Sequence, residues 1–86
     1  MNKNDLMRFP CSFPLKVMGL NTEAFASAAQ SIIRSHLGDD EASCTRRLSR
    51  GDKYLSLTVT FTARSRDQLD AIYRELNNHP LVLMTL

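Results

Sequence analysis

Apolar and polar side chains alternate most regularly between residues 54 and 63. There Leu55, Leu57, Val59, Phe61 and Ala63 take turns with Tyr54, Ser56, Thr58, Thr60 and Thr62. A period of two over ten residues predicts a strand with one buried and one polar face. Nearer the start the period lengthens. Phe25, Ala28, Ala29, Ile32, Ile33 and Leu37 stand at i, i+3, i+4, i+7, i+8 and i+12, one apolar stripe at helical spacing. Asn21 or Thr22 is positioned to cap this helix. Gly38 is positioned to end it at C′, ahead of an Asp39-Asp40-Glu41 turn. Leu69, Ile72, Tyr73 and Leu76 make a second helical stripe. Ser65 and Gln68 precede it as a capping box, with Ser65 at the N-cap and Gln68 reaching back. Asn77, Asn78, His79 and Pro80 stop it.

Three further strands follow from weaker patterns. Leu15 to Leu20 predicts the first, with Leu15 and Val17 on one face and Lys16 and Met18 on the other. It is led in by an extended Phe9-Pro10-Cys11-Ser12-Phe13-Pro14 segment, because each proline disfavours helical backbone at the residue before it. Ala42 to Ser49 predicts a polar edge strand, where Arg46 and Arg47 stay solvated. Arg50-Gly51-Asp52-Lys53 turns that strand into the alternating one as a hairpin. Leu81 to Leu86 predicts the last strand, and residues 1–8 a loose arm.

The element order is β-α-β-β-α-β. Two amphipathic helices must cover the apolar face of one sheet, and right-handed crossovers favour the split β-α-β arrangement. The expectation is a single α+β domain over residues 1–86, a ferredoxin-like two-layer sandwich with antiparallel sheet order 4-1-3-2. The second sheet face then has no helix to cover it. It should present Lys16, Met18, Tyr54, Ser56, Thr58, Thr60 and Thr62, with some apolar residues from strand four.

Composition narrows the function classes. A net charge of +2 over 86 residues is too weak to imply nucleic acid or an anionic membrane. The start, MNKNDLMRF, lacks the apolar core of a signal peptide, and no apolar run approaches the length of a membrane span. The expected compartment is therefore the cytoplasm, where Cys11 and Cys44 remain thiols.

Candidate chemistry is sparse. Neither His36 nor His79 has a Cys, Ser or carboxylate constellation at catalytic spacing. Cys11 and Cys44 are far apart, without the paired spacing of a zinc site. The acidic run at 39–41 lacks the alternating ligands and internal glycine of a calcium loop. RNA-recognition motifs share this element order but stack bases on strand aromatics; here only Tyr54 offers one on strand three. Arg46, Arg47, Arg50 and Lys53 form a basic patch that edge solvation explains better than phosphate contact. The residues thus predict no enzyme, no metal, no cofactor and no nucleic-acid partner. At Gly19-Leu20-Asn21-Thr22 a strand turns into a helix start, where free amides can meet an anion and Gly19 permits close approach. A plain glycine turn with an N-cap accounts for the same residues.

Phe9-Pro10, Phe13, Lys16-Val17-Met18-Gly19, Gly51, Tyr54, Ser56, the Gln68 to Leu76 helix and the apolar Val82 to Leu86 end resemble the YbeD-like family of small bacterial proteins. The likeness runs over nearly the whole chain. It implies a ferredoxin-like fold similar to the ACT-type regulatory domains of amino-acid metabolism, and a link to lipoate metabolism. It further implies a non-enzymatic regulatory or small-ligand-sensing role, with contacts at Lys16, Gly19, Asn21 and Thr22, and pairing into a homodimer. The alternative is a protein-interaction adaptor. It would use the open face of Lys16, Met18, Tyr54, Ser56, Thr58 and Thr60, or an edge strand. The partner is accordingly a small metabolite or a protein.

Overall fold

A computed structural model describes residues 8–86, so the arm expected over 1–8 lies outside the described residues except for Arg8. The elements are β1 (Cys11–Leu20), α1 (Glu23–Ser35), β2 (Ala42–Leu48), a short 3-10 turn (Arg50–Asp52), β3 (Tyr54–Ala63), α2 (Arg66–Asn77) and β4 (Val82–Thr85). The sheet runs β2-β3-β1-β4, which counted from the β4 edge is 4-1-3-2, and every neighbouring pair is antiparallel. This is a ferredoxin-like α+β sandwich. Alternation places Leu55, Leu57, Val59, Phe61 and Ala63 of β3 on the buried face. They meet Leu15 and Val17 of β1 and the inward faces of the helices, where Phe25, Ile33, Ile72 and Leu76 are fully buried.

β1 begins at Cys11, four residues before the expected Leu15, and pairs with β3 in unbroken register from Cys11 opposite Ala63 to Leu20 opposite Tyr54. Pro14 therefore lies inside a strand. The reason it fits is directional. Lys16 turns its backbone toward β4, accepting from the Leu86 N–H at 2.8 Å and donating to the Leu86 carbonyl at 3.4 Å. Pro14 shares that orientation two residues earlier, beyond the paired stretch of β4, so its missing N–H costs no ladder bond.

Several local expectations shift. Ala26 is buried where Ala28 is only half-buried, which rotates the α1 stripe slightly. Gly38 is not the C′ residue. His36 is the C-cap, and the helix end tightens through His36 N–H to the Ile33 carbonyl and Leu37 N–H to the Arg34 carbonyl. Gly38, at φ +60°, serves the next turn, which closes with Asp40 N–H on the Leu37 carbonyl at 3.1 Å. β2 stops at Leu48 and β4 covers only Val82–Thr85. Between β2 and β3 the chain reverses through two residues of positive φ, Gly51 at +82° and Asp52 at +57°.

Ser65 caps α2 as expected, its Oγ accepting from Gln68 N–H at 3.1 Å. Gln68 reaches one residue further back than a capping box requires. Its Oε1 accepts from Arg64 N–H at 2.7 Å, while its Nε2 donates to the His36 carbonyl at 2.9 Å. One amide thus fastens the start of α2 to the end of α1.

Candidate functional site

Of the four residues expected to contact a small ligand, Gly19, Asn21 and Thr22 gather where β1 enters α1, and Lys16 lies on the opposite face of the sheet. Each of the three turn residues has a partner in the fold. A Cβ on Gly19 would fall 2.6 Å from Cγ and Cε1 of Phe25 and nearer still to Cδ1, so the glycine makes room for a core ring. Thr22 is the N-cap of α1, its Oγ1 accepting from Phe25 N–H at 3.1 Å. Asn21 donates its backbone N–H to the Lys53 carbonyl and its Nδ2 to the Asp52 carbonyl, both at 3.0 Å. The turn is stitched to the β2–β3 hairpin.

The other candidate surface is the sheet face away from the helices. Register places Lys16 beside Thr58 and Met18 beside Ser56 on β1 and β3. Across β3, Arg47 of β2 stands beside Ser56 and Thr45 beside Thr58. On the β4 side, Met84 stands beside Met18. Thr60 continues the face toward its polar end, opposite Pro14 and Ser43. The expected face residues are therefore neighbours. At its apolar end, Lys16, Met18, Arg47, Leu48, Tyr54 and Leu86 help to line a shallow concavity of about 290 Å³. Large apolar side chains cluster in this part of the molecule without cover: Leu20, Leu48, Met84 and Leu86 are 48%, 46%, 50% and 68% exposed.

The basic patch expected around the hairpin divides. Arg46 points to the helix layer, where its Nη1 donates to Glu23 Oε1 at 2.8 Å. That hydrogen bond, with the guanidinium charge, holds the Glu23 carboxyl below its ordinary range. Lys53 stacks its ammonium 5.4 Å from the Tyr54 ring centroid. Arg47 stays on the open face. On the far side of the molecule Arg64 grips Asp40 through two bonds of 2.7 and 2.8 Å and lowers its pKa likewise. The histidines also serve the fold: His36 Nε2 lies 2.8 Å from Glu75 Oε1, and His79 Nδ1 accepts from Leu81 N–H. Cys11 and Cys44 are free thiols packed partly against the core.

Arg47, Met84 and Leu86 were not among the face residues predicted by number, and Leu48, opposite the inward Leu55, reaches the concavity from the end of β2. For Arg47 the signal is present: hairpin register from Gly51 puts it beside Ser56. For β4 the apolar contribution was expected but not its residues, because the register slips between Met18 and Gly19, and parity cannot be carried across a bulge.

Comparison with known proteins now gives the lineage. The profile of DUF493, described as a protein of unknown function, matches residues 4–86. The chain belongs to the DUF493 family. The DUF493 relatives include the UPF0250 protein of Nitrosomonas europaea, 41% identical over the full length of both chains. Another, from Chromobacterium violaceum, is 45% identical over 98% of this chain and 96% of that one. The YbeD-like resemblance is to this same group of small bacterial proteins. Among solved structures, a solution structure of HP0495 from H. pylori superposes with a TM-score of 0.77 over 93% of this chain and 85% of that one. At 16% identity this likeness speaks for the fold alone.

Proposed function

We propose that this chain is a non-enzymatic adaptor that binds a protein partner on the open face of its sheet. The observation behind the reading is the uncovered apolar end of that face, flanked by Lys16 and Arg47. Antiparallel sheets commonly leave one face in water, but here one end of that face is apolar, and exposed apolar clusters rimmed by polar groups mark contact surfaces. Size favours a macromolecule. Pockets that enclose small ligands run from roughly 300 to 1,000 Å³ and bury most of the ligand, whereas this concavity of about 290 Å³ is wide-mouthed.

The second reading is an ACT-like sensor of a small metabolite, with lipoate as one candidate, at the β1–α1 turn. Its support is the fold likeness. Its weakness is that Asn21 and Thr22 already spend their side-chain polar groups inside the chain.

Photo-cross-linking in cells tests the adaptor. A cross-linking residue placed at Ser56 should capture a partner that is lost on Met18→Asp, while one placed at Arg34 on α1 captures nothing comparable. Equal capture from both positions, or none from Ser56, refutes the open-face reading. Amide shifts centred on Gly19 to Thr22 with lipoate, octanoate or amino acids would move the function to the turn.

A further inference from the structure

Among the described residues the open face carries cations and no acidic side chain of its own, whereas the helix side mixes both signs. On the helix side Arg46 and Arg64 are each matched to a carboxylate, Glu23 and Asp40. On the open side Lys16 and Arg47 are exposed and, among the described residues, neither has a carboxylate within ion-pair distance. No strand position on the open face carries Asp or Glu. Two unmatched cations therefore flank an apolar floor.

Their placement is specific. Lys16 belongs to β1 and Arg47 to β2, with β3 between them, and they sit one same-face step apart along the strands. Two strand spacings of ~4.8 Å and one two-residue step of ~6.8 Å put their Cα atoms ~12 Å apart on the diagonal. The apolar and aromatic groups Met18, Tyr54 and Leu48 lie between or beside them.

We propose that the occupant of this face is an acidic amphipathic helix of a partner protein, laid along β3 with carboxylates on both flanks of its apolar stripe. The inference rests on the open-face reading and names the partner's chemistry. Carboxylates five residues apart stand on opposite flanks of a helix and ~7.5 Å apart along its axis, close to the ~6.8 Å offset of Lys16 and Arg47 along the strands, and long Lys and Arg side chains take up the remainder. A helix also covers the apolar end of the face along the strand direction. An extended peptide added to a sheet edge would leave Met18 and Tyr54 uncovered. A nucleic acid would satisfy the cations but not the methionine and leucine floor, which offers a single aromatic ring for stacking. Flexible methionines such as Met18 and Met84 suit a surface that adapts to a helix.

The test uses the full chain, isotope-labelled, and two synthetic helical peptides of one length. Both carry the same leucine stripe; one has Glu on both flanks and the other has Gln at those positions. The Glu peptide should shift amides at Lys16, Met18, Arg47, Tyr54 and Ser56. Lys16→Gln and Arg47→Gln should each weaken it about two- to fivefold, and the Gln peptide should bind wild type more weakly by a similar factor per carboxylate. Arg34→Gln, on the helix side, should leave the affinity unchanged. Equal binding of the Glu and Gln peptides overturns the acidic-partner proposal and leaves the open-face reading standing. If neither peptide shifts an open-face amide, the proposal fails, and cross-linking from Ser56 decides the wider reading separately. Tighter binding of a short single-stranded RNA at Lys16 and Arg47 than of the Glu peptide would also overturn it.

Discussion

The ring of Phe25 rests on the Cα of Gly19, with Cγ and Cε1 placed 2.6 Å from where a Cβ would be. Phe25 is fully buried, so it cannot swing aside. Gly19→Ala should therefore destabilise the chain by about 1–3 kcal/mol, the usual cost of overpacking a filled core. Urea unfolding measures this. A second change, Phe25→Leu, removes the obstructing ring edge, and the double variant should lose less than the sum of the two singles. Additive losses would assign Gly19 a role other than making room for Phe25.

Asn21 and Thr22 sit side by side yet hold different parts of the fold. Asn21→Ala removes the bond to the Asp52 carbonyl and should cost about 1 kcal/mol. It should speed amide exchange in the hairpin around Asp52 and Tyr54 while leaving α1 protected. Thr22→Ala removes the cap of α1, about 0.5–2 kcal/mol, and should speed exchange at Phe25 instead. Identical exchange patterns in the two variants would contradict this division.

Acid should loosen the chain through its arginine-held carboxylates. The Arg46 and Arg64 guanidinium groups hold Glu23 and Asp40 below their ordinary values of 4.5 and 3.8. A carboxyl with a depressed pKa in the folded state stabilises it above the ordinary value, and that contribution disappears as pH falls through the depressed one. The urea midpoint should thus decline as pH falls through and below the ordinary carboxylate range, with part of the decline removed in the Glu23→Gln, Asp40→Asn double variant. Both pairs are exposed at the surface, so salt should reduce the difference. A double variant with the wild-type acid slope would refute the assignment.

Alkali should act at Tyr73. Its hydroxyl donates to the Leu86 carbonyl at 3.0 Å, and burial pushes its pKa above the ordinary 10.0. A raised pKa stabilises the folded state fully below that ordinary value and progressively less as pH climbs through the raised one. Tyr73→Phe should flatten stability above pH 10.0 relative to wild type. An unchanged alkaline slope would place the titrating group elsewhere.

Local patterns made the architecture readable. The alternation from Tyr54 to Ala63 and the cap at Ser65 each depend on neighbours in sequence, and both stand in the structure as expected. What stayed hidden depends on distant partners. Asn21 was expected as a helix cap or a ligand contact because its acceptor, Asp52, is thirty-one residues away. Arg46 is exposed as expected, but its bond to Glu23 was not legible because the two are twenty-three residues apart. The beginning of β1 was obscured by Pro14, since a proline in a strand is tolerated only where its nitrogen faces an unpaired side, and that side depends on where β4 stops.

The same proline makes lateral growth of the sheet one-sided. A second chain approaching β1 beside the end of β4 would find no donor at Pro14, and further along β1 is already covered by the four-residue β4. The opposite boundary, β2, runs through seven residues in regular register with its partner and carries Arg46 and Arg47 to discourage pairing by charge. Crowded chains stacking edge to edge would accordingly join through β2, and masking those arginines with salt would ease the joining.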